Sequence, residues 1–180
     1  MRKASLKRIA GMVLCVVFVA FNTRAADKTV TNKELGFEIT FPEAWTVDEK
    51  PPGGLAIRGA SRLAKDAKGA AVIVLRFTEG AEAIPLSEYV EGILPGLKKV
   101  TPNFELVENI ELKLGRATAC RLTFLYDHPK LGGRCKAVSY ILVDRKHRYT
   151  ISTSLSTDDF DKYTKDFDNI FQSFKIIDAK

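Results

Sequence analysis

Histidine and tryptophan are nearly missing from this 180-residue sequence, which holds two of the first (His128, His147) and one of the second (Trp45). Scarce imidazole removes the commonest general base and metal ligand. HExxH, CxxC, the Walker loop and GxGxxG do not occur. Zinc peptidase, thioredoxin-type, P-loop and dinucleotide chemistry therefore have no motif to rest on. Asp127 and His128 are two possible ligands in one loop, too few to build a metal site. No cofactor and no metal are expected. The longest apolar run, Ile9 to Phe21, has 13 residues, short of the ~20 that span a bilayer. Repeats, linkers and low-complexity segments are lacking as well.

What is present is the balance of an ordinary globular chain. Hydrophobic residues make up 46% and charged residues 28%, which excludes disorder and a polytopic membrane protein. The length fits one domain. The formal charge of +6 is unevenly spread. Residues 1–25 hold five basic residues (Arg2, Lys3, Lys7, Arg8, Arg24) and no acid. Taking those five from 28 leaves 23 basic against 22 acidic residues. The basic pI thus belongs to the first segment, and no nucleic-acid partner is expected.

Four positive charges, the apolar run and then Thr23-Arg24-Ala25, with small residues at −3 and −1, have the layout of a secretory signal peptide. Cleavage after Ala25 is expected. Val13-Leu14 before Cys15 are too bulky for a lipidation site. The expected organisation is 1–25 signal peptide, 26–34 flexible segment and 35–178 folded domain. Cys120 and Cys135 then remain. They fall on consecutive strands whose turn signals, Pro129 and Gly132-Gly133, put them far out of register. Two buried thiols are expected rather than a bridge.

Phe37, Ile39 and Phe41 alternate with Glu38 and Thr40 as a half-buried strand, ended by Pro42. Leu55 to Arg58 reads as a short strand, and Ser61 to Gly69 as a charged loop. Ala70 to Phe77 is apolar on both faces, which predicts a central strand covered on both sides. Pro85 to Val100 has helical spacing, with Ser87 as a possible cap and Pro95-Gly96 as a kink or stop. Strands follow at Phe104 to Leu114, Ala117 to Tyr126, Cys135 to Val143 and Tyr149 to Leu155. A turn centred on Lys146 would set Val143 opposite Tyr149 and Ile141 opposite Ile151. Ser156 and Asp159 suggest a capping box before an aromatic helix of Phe160, Tyr163, Phe167, Ile170 and Phe171. Ser173 to Ile177 reads as a closing turn or edge strand. Consecutive strands with few helices mean α+β: one antiparallel sheet with helices on both faces.

Gly36-Phe37, Pro42 and Trp45, the strand around Tyr149, the aromatic helix and Ser173-Phe174 together resemble PsbP-type and DcrB-type domains. The resemblance covers roughly residues 35–177. It implies an α-β-α sandwich, shared with the small Ran-binding import factors, and a non-enzymatic role. It also implies an accessory or assembly factor for a protein partner in the envelope or at a membrane surface, in the periplasm or outside the cell. A lumenal photosystem II accessory protein is the cyanobacterial form of that expectation. A small-molecule or lipid-binding envelope protein is the alternative.

Two surfaces are candidates for contact. Trp45, after a strand-ending proline, is a candidate to overlie a cleft. The turn Arg145, Lys146, His147 and Arg148, with Lys130, Arg134 and Lys136 nearby, is a candidate positive rim for an acidic partner. A Cys135–His128 nucleophile is the enzymatic reading, and no strained elbow or oxyanion loop accompanies it. The acids Asp158, Asp159, Asp161, Asp166 and Asp168 read as a solvated helix face. A monomer without catalytic residues is expected.

Overall fold

A computed structural model describes residues 27–61, 71–79, 84–115, 117–129, 133–144 and 147–178. The signal-peptide segment, most of the charged loop after Ser61, and Arg145 and Lys146 lie outside the described residues. The elements are β1 (Lys28–Asn32), β2 (Phe37–Phe41), β3 (Trp45–Asp48), β4 (Ile57–Ser61), β5 (Val72–Thr78), α1 (Leu86–Val100), β6 (Glu105–Leu114), β7 (Ala117–His128), β8 (Gly133–Asp144), β9 (His147–Ser156), α2 (Thr157–Ser173) and β10 (Lys175–Ile176). Seven strands form one antiparallel sheet in the order β3-β4-β5-β9-β8-β7-β6. A second sheet has the order β1-β2-β10.

The expected α+β architecture is present. Along the long strands the period of two separates the faces. Ala119, Tyr140, Leu142, Tyr149 and Ile151 point toward α2 into the main core. Cys120, Leu122 and Ile141 point the other way and meet Val90 of α1. The two helices therefore cover opposite faces. The small sheet lies beside α2, with Phe37, Ile39 and Phe41 fully buried in the same core. Phe37 meets Tyr149 edge-on at 6.4 Å and stacks on Phe174 at 6.0 Å.

Several local expectations change. Residues 28–32 are strand β1 within the segment read as flexible: Val30 is buried and Thr29 hydrogen-bonds Thr40 across the pair. One apolar residue in five is too thin a signal for period-two reading. On β5, Ile73 and Leu75 are buried, but Val72 and Val74 are only half-buried, so cover on the second face is partial. α1 does not stop at Pro95 but continues to Val100, and Pro85, not Ser87, is its N-cap. At the other helix Ser156 is the N-cap and its Oγ donates to Asp159 at 2.9 Å, but no side chain caps the backbone. The β8–β9 register is one residue off the expected one. Leu142 opposes Tyr149 and Tyr140 opposes Ile151. Asp144 pairs with His147, so the connection is two residues long rather than centred on Lys146, and two-residue hairpins are the favoured kind.

Candidate binding cleft

The core-facing register positions of β6 and β7 are not uniformly apolar. On β7 the run Ala117, Ala119 continues as Arg121 and Thr123, and on β6 the run Leu114, Leu112, Ile110 ends at Glu108. α2 lies over β9 and β8. The sheet extends past it, and a half-open cleft of about 370 Å³ remains between α2 and strands β6 to β8. Its apolar lining includes Val138 and the edges of Phe160, Phe167 and Phe171, which are 3%, 1% and 1% exposed.

One wall is a closed polar network. Arg121 holds Glu108 bidentately, Nε to Oε2 at 3.0 Å and Nη2 to Oε1 at 2.8 Å. Thr123 Oγ1 donates to the same Oε2 at 3.2 Å. Two-pronged guanidinium–carboxylate pairs fix geometry as well as charge. The Arg121 hydrogen bonds hold the Glu108 carboxyl below its ordinary pKa of 4.5, against a smaller opposing effect of desolvation. Arg121 in turn is pushed further up, first by Glu108 and then by Tyr140. Lys136 stands on the floor side. Its ammonium sits 4.7 Å from the Phe160 ring centroid. Among the described residues it forms no ion pair.

The wall combines residues from separate strands, which a reading of single segments does not join. The available signal was parity. Glu108 and Arg121 occupy the apolar register of neighbouring strands, where a charge needs a partner.

Trp45 is not at a surface. It is 4% exposed, packs edge-on to Phe167 at 6.1 Å, and donates Nε1 to Asp166 at 3.2 Å. The proline turn before it, closed by Trp45 N–H to Pro42 C=O at 2.9 Å, points the indole under α2. Nor does the structure bring Trp45 together with the basic turn. His147 packs near Phe77 at 5.2 Å. Arg148 is folded onto α1, its guanidinium 3.5 Å from the Tyr89 ring centroid. Arg134 is likewise engaged, with Glu105, Asp127 and the Asn103 carbonyl. Arg134, His147 and Arg148 of the basic rim are thus tied into the fold, whereas Lys136 forms no ion pair among the described residues.

Cys120 and Cys135 are free and buried, as expected. Cys120 opposes Ile141 while Cys135 opposes Tyr126, six register positions away. Burial pushes both thiols up, with Glu111 adding to Cys120 and Asp127 to Cys135. His128 shares the face of Cys135 two positions along the pair. The raised thiol pKa disfavours the thiolate that a Cys–His nucleophile needs. Among the described residues no three His, Cys, Asp or Glu side chains converge on a metal position.

No family model and no curated protein matches the sequence. Solved structures do match the fold. LpqN of Mycobacterium tuberculosis, described as involved in cell envelope biogenesis, superposes with TM-score 0.67 at 14% identity, over 84% of this chain and 91% of that one. Cyanobacterial PsbP (CyanoP) of Synechocystis gives 0.61 at 12%, over 84% and 93%. The chain has the PsbP-like fold. The Ran-binding protein Mog1p of Saccharomyces cerevisiae shares it, at 0.57 and 12%, over 85% and 96%. At these identities the PsbP-like likeness is one of architecture, and one architecture hosts many roles.

Proposed function

We propose that this chain is an exported, monomeric, non-catalytic accessory domain that docks a protein partner in the cell envelope or at a membrane surface. The observation that carries the reading is the β6 edge of the large sheet, which has no further strand partner among the described residues. β6 is a ten-residue edge strand, and Leu106, Val107 and Ile110 on it are 41%, 56% and 39% exposed. Grouped exposed apolar residues on a strand edge favour protein contact. A bulge between Leu106 and Glu108 breaks the regular ladder there, which works against indiscriminate pairing and for a specific partner. Export rests on the signal-peptide layout, and the envelope role of LpqN is compatible with it. The non-catalytic part rests on the two protonated, buried thiols and the motif-poor sequence.

The test is cross-linking and affinity capture from the native envelope fraction with the wild-type chain and with Leu106→Asp/Ile110→Asp. A protein captured by the wild type and lost with the double variant is the expected result. Equal capture by both chains would place the contact elsewhere, and no capture would end the partner reading. Intact mass of the exported protein should show loss of residues 1–25, and a retained Met1 would contradict cleavage.

A further inference from the structure

The cleft goes beyond the partner reading, which uses the β6 edge and shares only Val107 with the cleft lining. Its charges are unequal in availability. Glu108 is saturated by Arg121 and Thr123. Arg121 is held by Glu108, so neither half of that pair is free for a newcomer. Asp168 stands exposed on α2 at the outer rim. Lys136 is the cation with no ion-pair partner among the described residues: its charge acts on Glu108 only from a distance, and its ammonium sits over the Phe160 ring. A site with one available cation, an apolar floor and a volume in the range of small-molecule pockets fits an anion with an attached apolar chain. The exposed Asp168 carboxylate repels that anion from the α2 rim and turns the head toward β8.

We infer that the cleft binds a single-chain anionic amphiphile, its charged head at Lys136 and its chain along Phe160, Phe167 and Phe171. The ammonium already sits 4.7 Å from the Phe160 ring centroid, so head and chain would meet their partners side by side. The closed Glu108–Arg121 pair presents a fixed wall and spares the ligand a buried unpaired charge. Trp45 packs against the back of Phe167, so the single tryptophan lies one ring away from the bound chain.

The full chain is titrated with decanoate, decyl phosphate and uncharged decanol, each below its self-association range, by calorimetry and by Trp45 emission. At least one of the two anions should bind about tenfold more tightly than decanol, the scale of one charge-assisted hydrogen bond. Decanoate against decyl phosphate identifies the head group. Lys136→Gln should bring anion affinity down to that of decanol and leave decanol unchanged. Thr164→Phe, on the cleft side of α2, should block all three ligands while circular dichroism shows an intact fold. Absence of saturable binding overturns the inference. So does equal affinity for anions and decanol, an inert Lys136→Gln, or an inert Thr164→Phe. Leu106→Asp alone, at a position outside the cleft lining, tests partner capture and leaves these titrations untouched, so the two readings fail separately.

Discussion

At position 59 the Phe41 ring occupies the place where any other residue would carry its Cβ. Phe41 is fully buried and packs on Trp45 at 6.3 Å, so its ring cannot easily swing aside. Gly59→Ala should therefore cost about 1–3 kcal/mol, the usual penalty of overpacking, read as a lowered thermal midpoint. Glu108 makes a different prediction. Its folded pKa is depressed, so its contribution to stability is in place above the ordinary 4.5 and fades as pH falls through the lower folded value. Stability of the wild type should drop in that acid window, and Glu108→Gln should flatten the drop. Urea midpoints measured from neutral to acid pH check this, and parallel curves would contradict it. The same pair marks what sequence reading reaches. That each residue lies on a strand was legible. That they meet was not, because the pairing register of β6 with β7 includes a bulge. Trp45 shows the converse: its identity suggested a surface, and its burial is decided by α2, more than a hundred residues away in sequence.

Among the elements, α2 was the most legible because it repeats an apolar face over five turns with four buried anchors. α1 has one fully buried residue, Val90, and a proline in its interior. Pro95 supplies no N–H for the Glu91 carbonyl, and loss of one helical bond was read as a kink or stop. The helix continues since its face still packs, with Tyr89, Ile93 and Leu94 lying against the Val90 cluster. Such a helix should open more readily than the long strands under it. Hydrogen exchange should be faster in Leu86–Val100 than in β7 and β8, and equal protection would contradict the thin anchoring. The hairpin register slipped by one residue in the sequence reading for a physical reason. Tyr140, Ile141, Leu142 and Val143 are consecutive apolar residues, so hydrophobic matching alone fits two registers. Strand β3 was missed because four residues with one buried aromatic carry almost no periodicity.

For the molecule as a whole, fold class followed from the order of the elements, while the cleft followed from how far one helix falls short of a seven-stranded sheet. No covalent staple holds the described structure, since both thiols are free and six register positions apart. Reductant should leave the thermal midpoint unchanged. Native thiols should label slowly and become fully reactive on unfolding, and fast native labelling of either would show that its burial is transient. The ends of the described chain meet in the small sheet, where β1 and β10 flank β2 and both run antiparallel to it. β1 and β10 therefore point the same way, the first entering beside Phe41 and the second leaving beside Phe37. Tension drawn between those two ends pulls along the strand axis. It loads the hydrogen bonds of β2 sideways and together, instead of opening them one at a time like a zip. A protein tethered at one end and tugged at the other would meet its stiffest resistance at this small sheet, which seals the aromatic core from the side of Phe37 and Phe174.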